Sequence, residues 1–391
     1  MASTPMDLDQ PDSSSPANGT PSTSLNITRT LGGGFSSTSA VTDVVAYYKP
    51  TKLFRRTDIK DGRPQPFILS LDYDDPGELL MTSESDETIQ IYKVRDGRHD
   101  KSLMSKKYGV KLAKFTHHSS SIVYASTKQN DAIRYLTTHD NVFIRYFEGH
   151  TDAVTCLAMH PGSDDFISCS KDNTLRLWNA GTKNETGLLY LNTPYLAAFD
   201  PSGQVFAVGS PTSGSILLYD HRNFDKAPIS EFDVVDSCSP VTNDNLDQGW
   251  TKLEFANDGR SILLATKGPG HFLLDSFTGS LKAYLRKPES GSRRLAPGEK
   301  YEMNGGGPPG ANLESSGDCC FTPDGRYIIG GTKNGIVIWD TLGQTTGKVM
   351  DPIHVMEDER PAAVVAANPR FNFIATADKD VVYWLPDMNS S

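Results

Sequence analysis

One stretch constrains this chain more than any other: Gly149 to Asn179, GHTDAVTCLAMHPGSDDFISCSKDNTLRLWN. Gly149-His150 opens it, a short apolar run follows, and His160-Pro161-Gly162 marks a turn. A second β-rich run, Phe166 to Ser170, leads to Asp172 in another turn and then to an alternating run, Thr174 to Trp178. Alternating runs separated by tight turns predict a small antiparallel sheet. His150, a serine of the second run (Ser168 or Ser170), Asp172 and Trp178 are spaced to form a buried chain from carboxylate to imidazole to hydroxyl to indole N–H. Such a chain leaves no buried polar group unpaired. These residues look catalytic in composition, but their spacing assigns them to the frame of the sheet.

The pattern recurs. Aligning the residue that closes each third run gives Tyr92, Leu136, Trp178, Tyr219, Leu274, Trp339 and Trp384, at intervals of 44, 42, 41, 55, 65 and 45 residues. Four of the six intervals match the ~40–45-residue period of a WD-repeat blade. Turn signals at Asp74-Asp75-Pro76-Gly77, His160-Pro161-Gly162, Asp200-Pro201-Ser202-Gly203, Asn257-Asp258-Gly259, Thr322-Pro323-Asp324-Gly325 and Asn368-Pro369 fall between first and second runs. There proline fixes φ and glycine supplies positive φ. The sequence therefore predicts an all-β, seven-bladed WD-repeat β-propeller with a disordered N-terminal tail.

The two long intervals require insertions, and residues 225–249 and 286–312 have loop composition without period. They are expected to be excursions from the disc. By Trp384 the last blade has only three strands, and a propeller must close or leave an exposed edge. Val44 to Phe54 has strand composition and is expected to supply the fourth. The propeller then spans residues 41–388. Residues 1–40 are rich in Ser, Thr, Pro and Gly and poor in apolar residues, too poor to offset the entropy of ordering.

Composition narrows the function classes. No apolar run approaches the ~18 residues of a membrane span, so no membrane partner is expected. Cys156, Cys169, Cys238, Cys319 and Cys320 form no C-x-x-C pair and read as reduced core thiols. Gly330 to Gly335 resembles a phosphate loop, but it lacks the G-x-x-x-x-G-K-[ST] order and precedes a strand. His117-His118 has no second cluster of metal ligands beside it in sequence. No nucleophile, base and orienter stand at meaningful spacing. The expectation is no enzyme, no cofactor and no metal.

Charge is the remaining signal. The chain is net −10, yet residues 95–148 carry ten Lys/Arg against five Asp/Glu. Lys128, Lys171, Lys267, Lys333 and Lys379 fall in turns between second and third strands. In a propeller those turns share a face with the connections between blades, one of which is Ser105-Lys106-Lys107-Tyr108-Gly109. The expectation is a basic face opposite an acidic one, suited to an acidic or phosphorylated peptide. The overall negative field argues against sequence-specific nucleic-acid binding. Lys106 and Lys107, supported by Lys128 and Lys171, are the candidate contacts. Arg145 is a further candidate, although a strand arginine can pack its stem between strands instead. Arg134 and Arg176, two residues before the closing position, are expected to serve their blades.

Ser105-Lys106-Lys107-Tyr108-Gly109-Val110, Ile133-Arg134-Tyr135-Leu136, His139-Asp140-Asn141, Ile144-Arg145-Tyr146-Phe147 and Gly149-His150 together form a specific run. With Phe199-Asp200-Pro201, Asn223-Phe224-Asp225-Lys226 and Trp384-Leu385-Pro386, it resembles the WD-repeat subunit of COMPASS, the complex that methylates lysine four on a histone tail. The resemblance covers about residues 50–388. It implies a noncatalytic nuclear scaffold that binds the Set-domain methyltransferase and other COMPASS subunits. It further implies recognition of the serine-five phosphorylated RNA polymerase II tail, and membership of cleavage-polyadenylation or phosphatase assemblies that act in transcription termination. Asn130 and Lys333 depart from the pattern by standing where a blade would carry its turn aspartate, and the tail before Asp43 and the 286–312 loop are long for the family. The alternative class on the same fold is a substrate-recruiting ubiquitin-ligase adaptor.

Overall fold

The computed structural model describes residues 40–59, 64–241, 249–288 and 318–387. Seven antiparallel sheets are arranged around one axis. Blade 1 comprises Ile68–Tyr73, Leu79–Glu84, Thr88–Lys93 and Arg98–Met104, and blade 2 comprises Lys111–Phe115, Ser121–Ala125, Ile133–Thr137 and Phe143–Phe147. Blade 3 follows with Val154–Met159, Asp165–Ser170, Thr174–Asn179 and Gly187–Tyr190. Blades 4, 5 and 6 begin at Leu196, Trp250 and Cys319, and the first three strands of blade 7 run from Val364 to Pro386. First strands of neighbouring blades pack on one another all the way round, so the ring closes.

The seven closing residues occupy equivalent positions. Each pairs with an apolar residue near the start of its second strand: Leu80–Tyr92, Ile122–Leu136, Phe166–Trp178, Phe206–Tyr219, Ile262–Leu274, Ile328–Trp339 and Ile374–Trp384. Alternate residues along these strands face one neighbouring blade or the other. The core is therefore seven apolar clusters, one at each blade junction. Trp178, Trp339 and Trp384 are fully buried within them.

Closure differs in detail from the expectation. The strand that completes blade 7 runs from Tyr48 to Phe54 and pairs with Val381–Pro386, with a register shift at Pro50, which has no N–H to give. Val41–Val44 is a helical turn and Val45–Tyr47 a 3-10 turn. The partner strand ends at Pro386, opposite Tyr48, and among the described residues one further main-chain bond follows, from the Asp387 N–H to the Tyr47 carbonyl. These residues turn inward, and Val44, Val45 and Tyr48 are buried between blades 6 and 7.

The 225–249 segment is not simply an excursion. Ser230–Asp233 is the fourth strand of blade 4, followed by a helical turn at Val234–Cys238. An outer strand is solvated on its free side and here needs only Phe232 in the core, so its sequence reads as polar loop. Blade 5 gains a fifth strand, Val349–Met350, which lies parallel to Leu281–Arg286. Most of the 286–312 loop, and residues 1–39, lie outside the described residues.

Candidate partner-binding face

Blade 3 shows what its polar residues do. Trp178 Nε1 donates to Ser168 Oγ at 2.9 Å, Ser168 Oγ lies 2.7 Å from His150 Nε2, and His150 Nδ1 lies 2.9 Å from Asp172 Oδ2. Burial pushes the imidazole of His150 below its ordinary pKa, with Asp172 only partly opposing this. Burial raises the Asp172 carboxyl, but hydrogen bonds from Thr174, His150 and the Thr151 N–H outweigh it and hold it below the usual carboxylate range. A neutral imidazole then donates from Nδ1 and accepts at Nε2, which satisfies every member. Ser170 is outside this chain. Its hydroxyl donates to the Asp152 carbonyl at 2.8 Å and accepts from the Asp172 N–H. Residues of a strand alternate between faces, but here Ser170 sits at the strand's end and ties the turn instead.

Asp172→Ala takes the carboxylate from the His150 N–H and leaves it only the Thr174 hydroxyl at 3.2 Å, and should lower stability by about 1–3 kcal/mol. The change should appear as a lower melting temperature. A variant of unchanged stability that lost one partner would instead assign these residues to recognition.

Blades 1 and 2 bond their second and third strands through an arginine brought from elsewhere: from the closing strand in blade 1, and from the third strand, at the position of Arg176, in blade 2. Arg56, arriving from the closing strand, donates to Glu84 Oε2 at 2.5 Å and Thr88 Oγ1 at 3.1 Å, and lies 3.5 Å from Asp86. In blade 2, Arg134 donates to Ser126 Oγ at 2.8 Å and to Asn130 Oδ1 at 2.9 Å. Asn130, the departure from the pattern, is thus the acceptor suited to an arginine already stacked on rings. The Arg134 guanidinium lies 3.4 Å from the centre of Tyr108 and 4.8 Å from that of Tyr146.

The turns and connections do share a face. The Lys128 N–H bonds the Tyr108 carbonyl, the Lys171 N–H that of Ala153 and the Lys267 N–H that of Gly249. That face is not uniformly basic. Lys128 is paired with Glu87, and Lys379 stands between Asp378 and Asp380, the latter gripped by Arg55. The opposite face is not uniformly acidic either. Asp74, Asp200 and Asp258 are spent accepting turn N–H groups, and Arg260, Arg326 and Arg370 stand among them. Alternating charge in tight turns serves local hydrogen bonding before it builds a field.

What remains is a sector across blades 1 to 3, with Lys333 exposed by itself in the corresponding turn of blade 6. Lys106, Lys107 and Lys171 are exposed and meet no carboxylate among the described residues. Lys107 Nζ sits 4.9 Å from the centre of the Tyr108 ring. Arg145 does not join them. Its guanidinium bonds the Ala180 carbonyl of blade 3, because its strand position aims it across the blade junction. Arg176 is likewise internal, paired with Glu185.

Residues of the specific run between Ser105 and His150 converge here. Tyr108 from the blade 1–2 connection, Arg134 from the third strand and Phe143 and Tyr146 from the fourth form one cation–aromatic cluster under Lys107. The spacing of the run does not single out the aromatic partners of Arg134, although Arg134 and Tyr146 face each other across adjacent strands. His117 is a bridge between turns, not a ligand: it contacts Asp75 at 2.7 Å and the His160 carbonyl at 2.9 Å. Among the described residues no three His, Cys, Asp or Glu side chains are grouped to hold a metal.

Comparison with known proteins agrees with this architecture. The family model described as WD domain, G-beta repeat, matches residues 141–179. WD repeat-containing protein 82 of Drosophila melanogaster is 36% identical over 88% of this chain and 96% of its own length. COMPASS component SWD2 of Saccharomyces cerevisiae is 32% identical over 87% and 96%, and Set1 complex component swd2 of Schizosaccharomyces pombe is 31% identical over 81% and 92%. Similarity at this level over more than four-fifths of the chain, on a ring whose seven closing residues are all in register, places the chain in the SWD2 family of WD-repeat propellers, the family of the COMPASS WD-repeat subunit.

Proposed function

We propose that this protein is a noncatalytic scaffold subunit of a nuclear histone lysine-4 methyltransferase complex of the COMPASS type. The observation that carries this reading is similarity over most of the chain to a COMPASS component and to a Set1 complex component. A closed ring of outer strands and turns offers several protein-binding surfaces at once, which suits a subunit that joins others. Its direct partners are then the Set-domain methyltransferase and other COMPASS subunits, with cleavage-polyadenylation or phosphatase subunits in a second assembly that acts in termination and RNA 3′-end processing. Purification of the tagged protein with mass spectrometry tests this. Recovery of the methyltransferase supports it, and recovery of ubiquitin-ligase subunits in its place overturns it.

The finer part of the proposal is that Lys106 and Lys107 contact the serine-five phosphorylated RNA polymerase II tail. Their exposure beside an aromatic cluster supports it. Exposed lysines act weakly and are screened by salt, so single changes should reduce affinity gradually. Lys106→Glu with Lys107→Glu should abolish binding of a serine-five phosphorylated tail peptide. Fluorescence anisotropy at two salt concentrations reads both effects. Equal affinity for the unphosphorylated peptide would remove this part and leave the scaffold reading standing.

A further inference from the structure

The outer strand of blade 2, Phe143–Phe147, is the edge of its sheet. Val142 just before it is 55% exposed, Ile144 is 47% and Tyr146 is 37%. Three large apolar side chains thus stand on five consecutive positions of an unpaired edge. Edges usually carry charge, proline, a bulge or a cover, because bare N–H and C=O groups beside apolar side chains invite another strand. This strand has a register shift at Ile144, and its charge, Arg145, is turned onto the Ala180 carbonyl of blade 3. This molecule covers one of its own edges with another strand. Val349–Met350 from blade 6 lies on the outer strand of blade 5, pairing Tyr284 with Val349 and Leu285 with Met350. The blade 2 edge has no such cover among the described residues. Blade 6 exposes Ile353 and Val355 near its own edge, but that strand runs into Glu357, Asp358 and Glu359.

The far end of the blade 2 edge has the opposite charge. Tyr146 rests on Arg134, Arg134 on Tyr108, and Lys107 lies over Tyr108, with Lys106 beside it. From this placement we infer that the blade 2 edge takes an extended segment of a partner protein as a fifth strand, with alternating apolar residues along Val142–Tyr146 and acidic residues at the end beside Lys106 and Lys107. Main-chain bonds would supply register, and the apolar positions and lysines would supply specificity. The inference needs a protein partner, as the scaffold reading does, but it does not need that partner to be a methyltransferase or a phosphopeptide.

The test starts from a random 16-residue peptide library displayed on phage and selected on the full-length protein. Selected peptides should show a period-two apolar pattern with acidic residues at one end. Bound peptide should slow amide exchange across residues 142–147. Ile144→Lys, an exposed change whose folding is checked by melting temperature, should weaken these peptides by roughly tenfold or more, from the loss of one apolar contact. The same variant should leave affinity for the phosphorylated tail peptide unchanged, which separates this surface from the Lys106–Lys107 proposal. Peptides without the pattern, protection elsewhere on the ring, equal binding to Ile144→Lys, or no peptide recovered would each overturn the inference.

Discussion

A chain that begins at Asp58 is expected not to fold, whereas one that begins at Ala40 should melt at the temperature of the full-length protein. The shorter chain lacks Tyr48–Phe54, the strand that completes blade 7, and leaves Val381–Pro386 as an open edge. It also lacks Val44, Val45 and Tyr48, all buried between blades 6 and 7. Phe54 is lost too, with ring centres 5.0 Å from Tyr92 of blade 1 and 4.8 Å from Tyr383 of blade 7. Four such side chains at roughly 1.5–3 kcal/mol each approach the whole ~5–15 kcal/mol by which ordinary domains are stable. Residues 1–39 have a composition that supports no core, so their removal should cost nothing measurable. Circular dichroism melts of the two truncations decide the matter. A cooperative melt from the shorter chain would show that the ring closes without its N-terminal strand.

Arg56→Ala should destabilise the ring more than Asp172→Ala does, because it breaks a buried ion pair rather than one hydrogen bond. Glu84 is 1% exposed and its carboxylate faces the Arg56 guanidinium at 2.5 Å. Removing one partner of a buried pair strands the other charge, at a cost of about 3–5 kcal/mol. The effect should depend on pH. Burial pushes Glu84 from its ordinary 4.5 up to about 7, with Arg56 acting against the rise. A carboxyl whose folded pKa lies above its unfolded value favours the folded state while protonated. That contribution is therefore lost as pH rises from about 4.5 through about 7. Without Arg56 the rise is larger, so the variant should be most deficient above neutral pH and least deficient near pH 5. Adding Glu84→Gln should recover part of the loss, because a neutral amide no longer needs a cation. Urea midpoints at about pH 5 and pH 8 read these outcomes. A deficit equal at both would place the role of Arg56 in packing alone.

These two sites show where sequence reading stops. Arg55 and Arg56 are adjacent in the chain yet grip different blades: Arg55 holds Asp380 of blade 7 at 2.8 Å, and Arg56 holds Glu84 of blade 1. Nothing local distinguishes them from any pair of arginines after a strand. The His150, Ser168, Asp172 and Trp178 chain is legible because a single blade contains all four within 29 residues of sequence. Arg56 does the corresponding work in blade 1 from 28 positions before Glu84, across a connection that carries no repeat signal.

The blade count and the register of the closing residues followed from sequence alone, because alternation and turn chemistry are local and repeat seven times. The outer strands did not follow as well. Ser230–Asp233 reads as loop, since a half-solvated strand needs few apolar residues, and Val44–Tyr47 reads as strand but turns inward, where Val44 and Val45 are buried between blades 6 and 7. The charged faces were decided only in three dimensions. Lysines that look alike in the sequence differ once folded: Lys128 meets Glu87 from the neighbouring blade, while Lys106 and Lys107 stand exposed beside an aromatic cluster. Partners across a blade junction are separated by tens of residues, 35 for Arg145 and Ala180. Only closing the ring sets which charges cancel and which remain available to another protein.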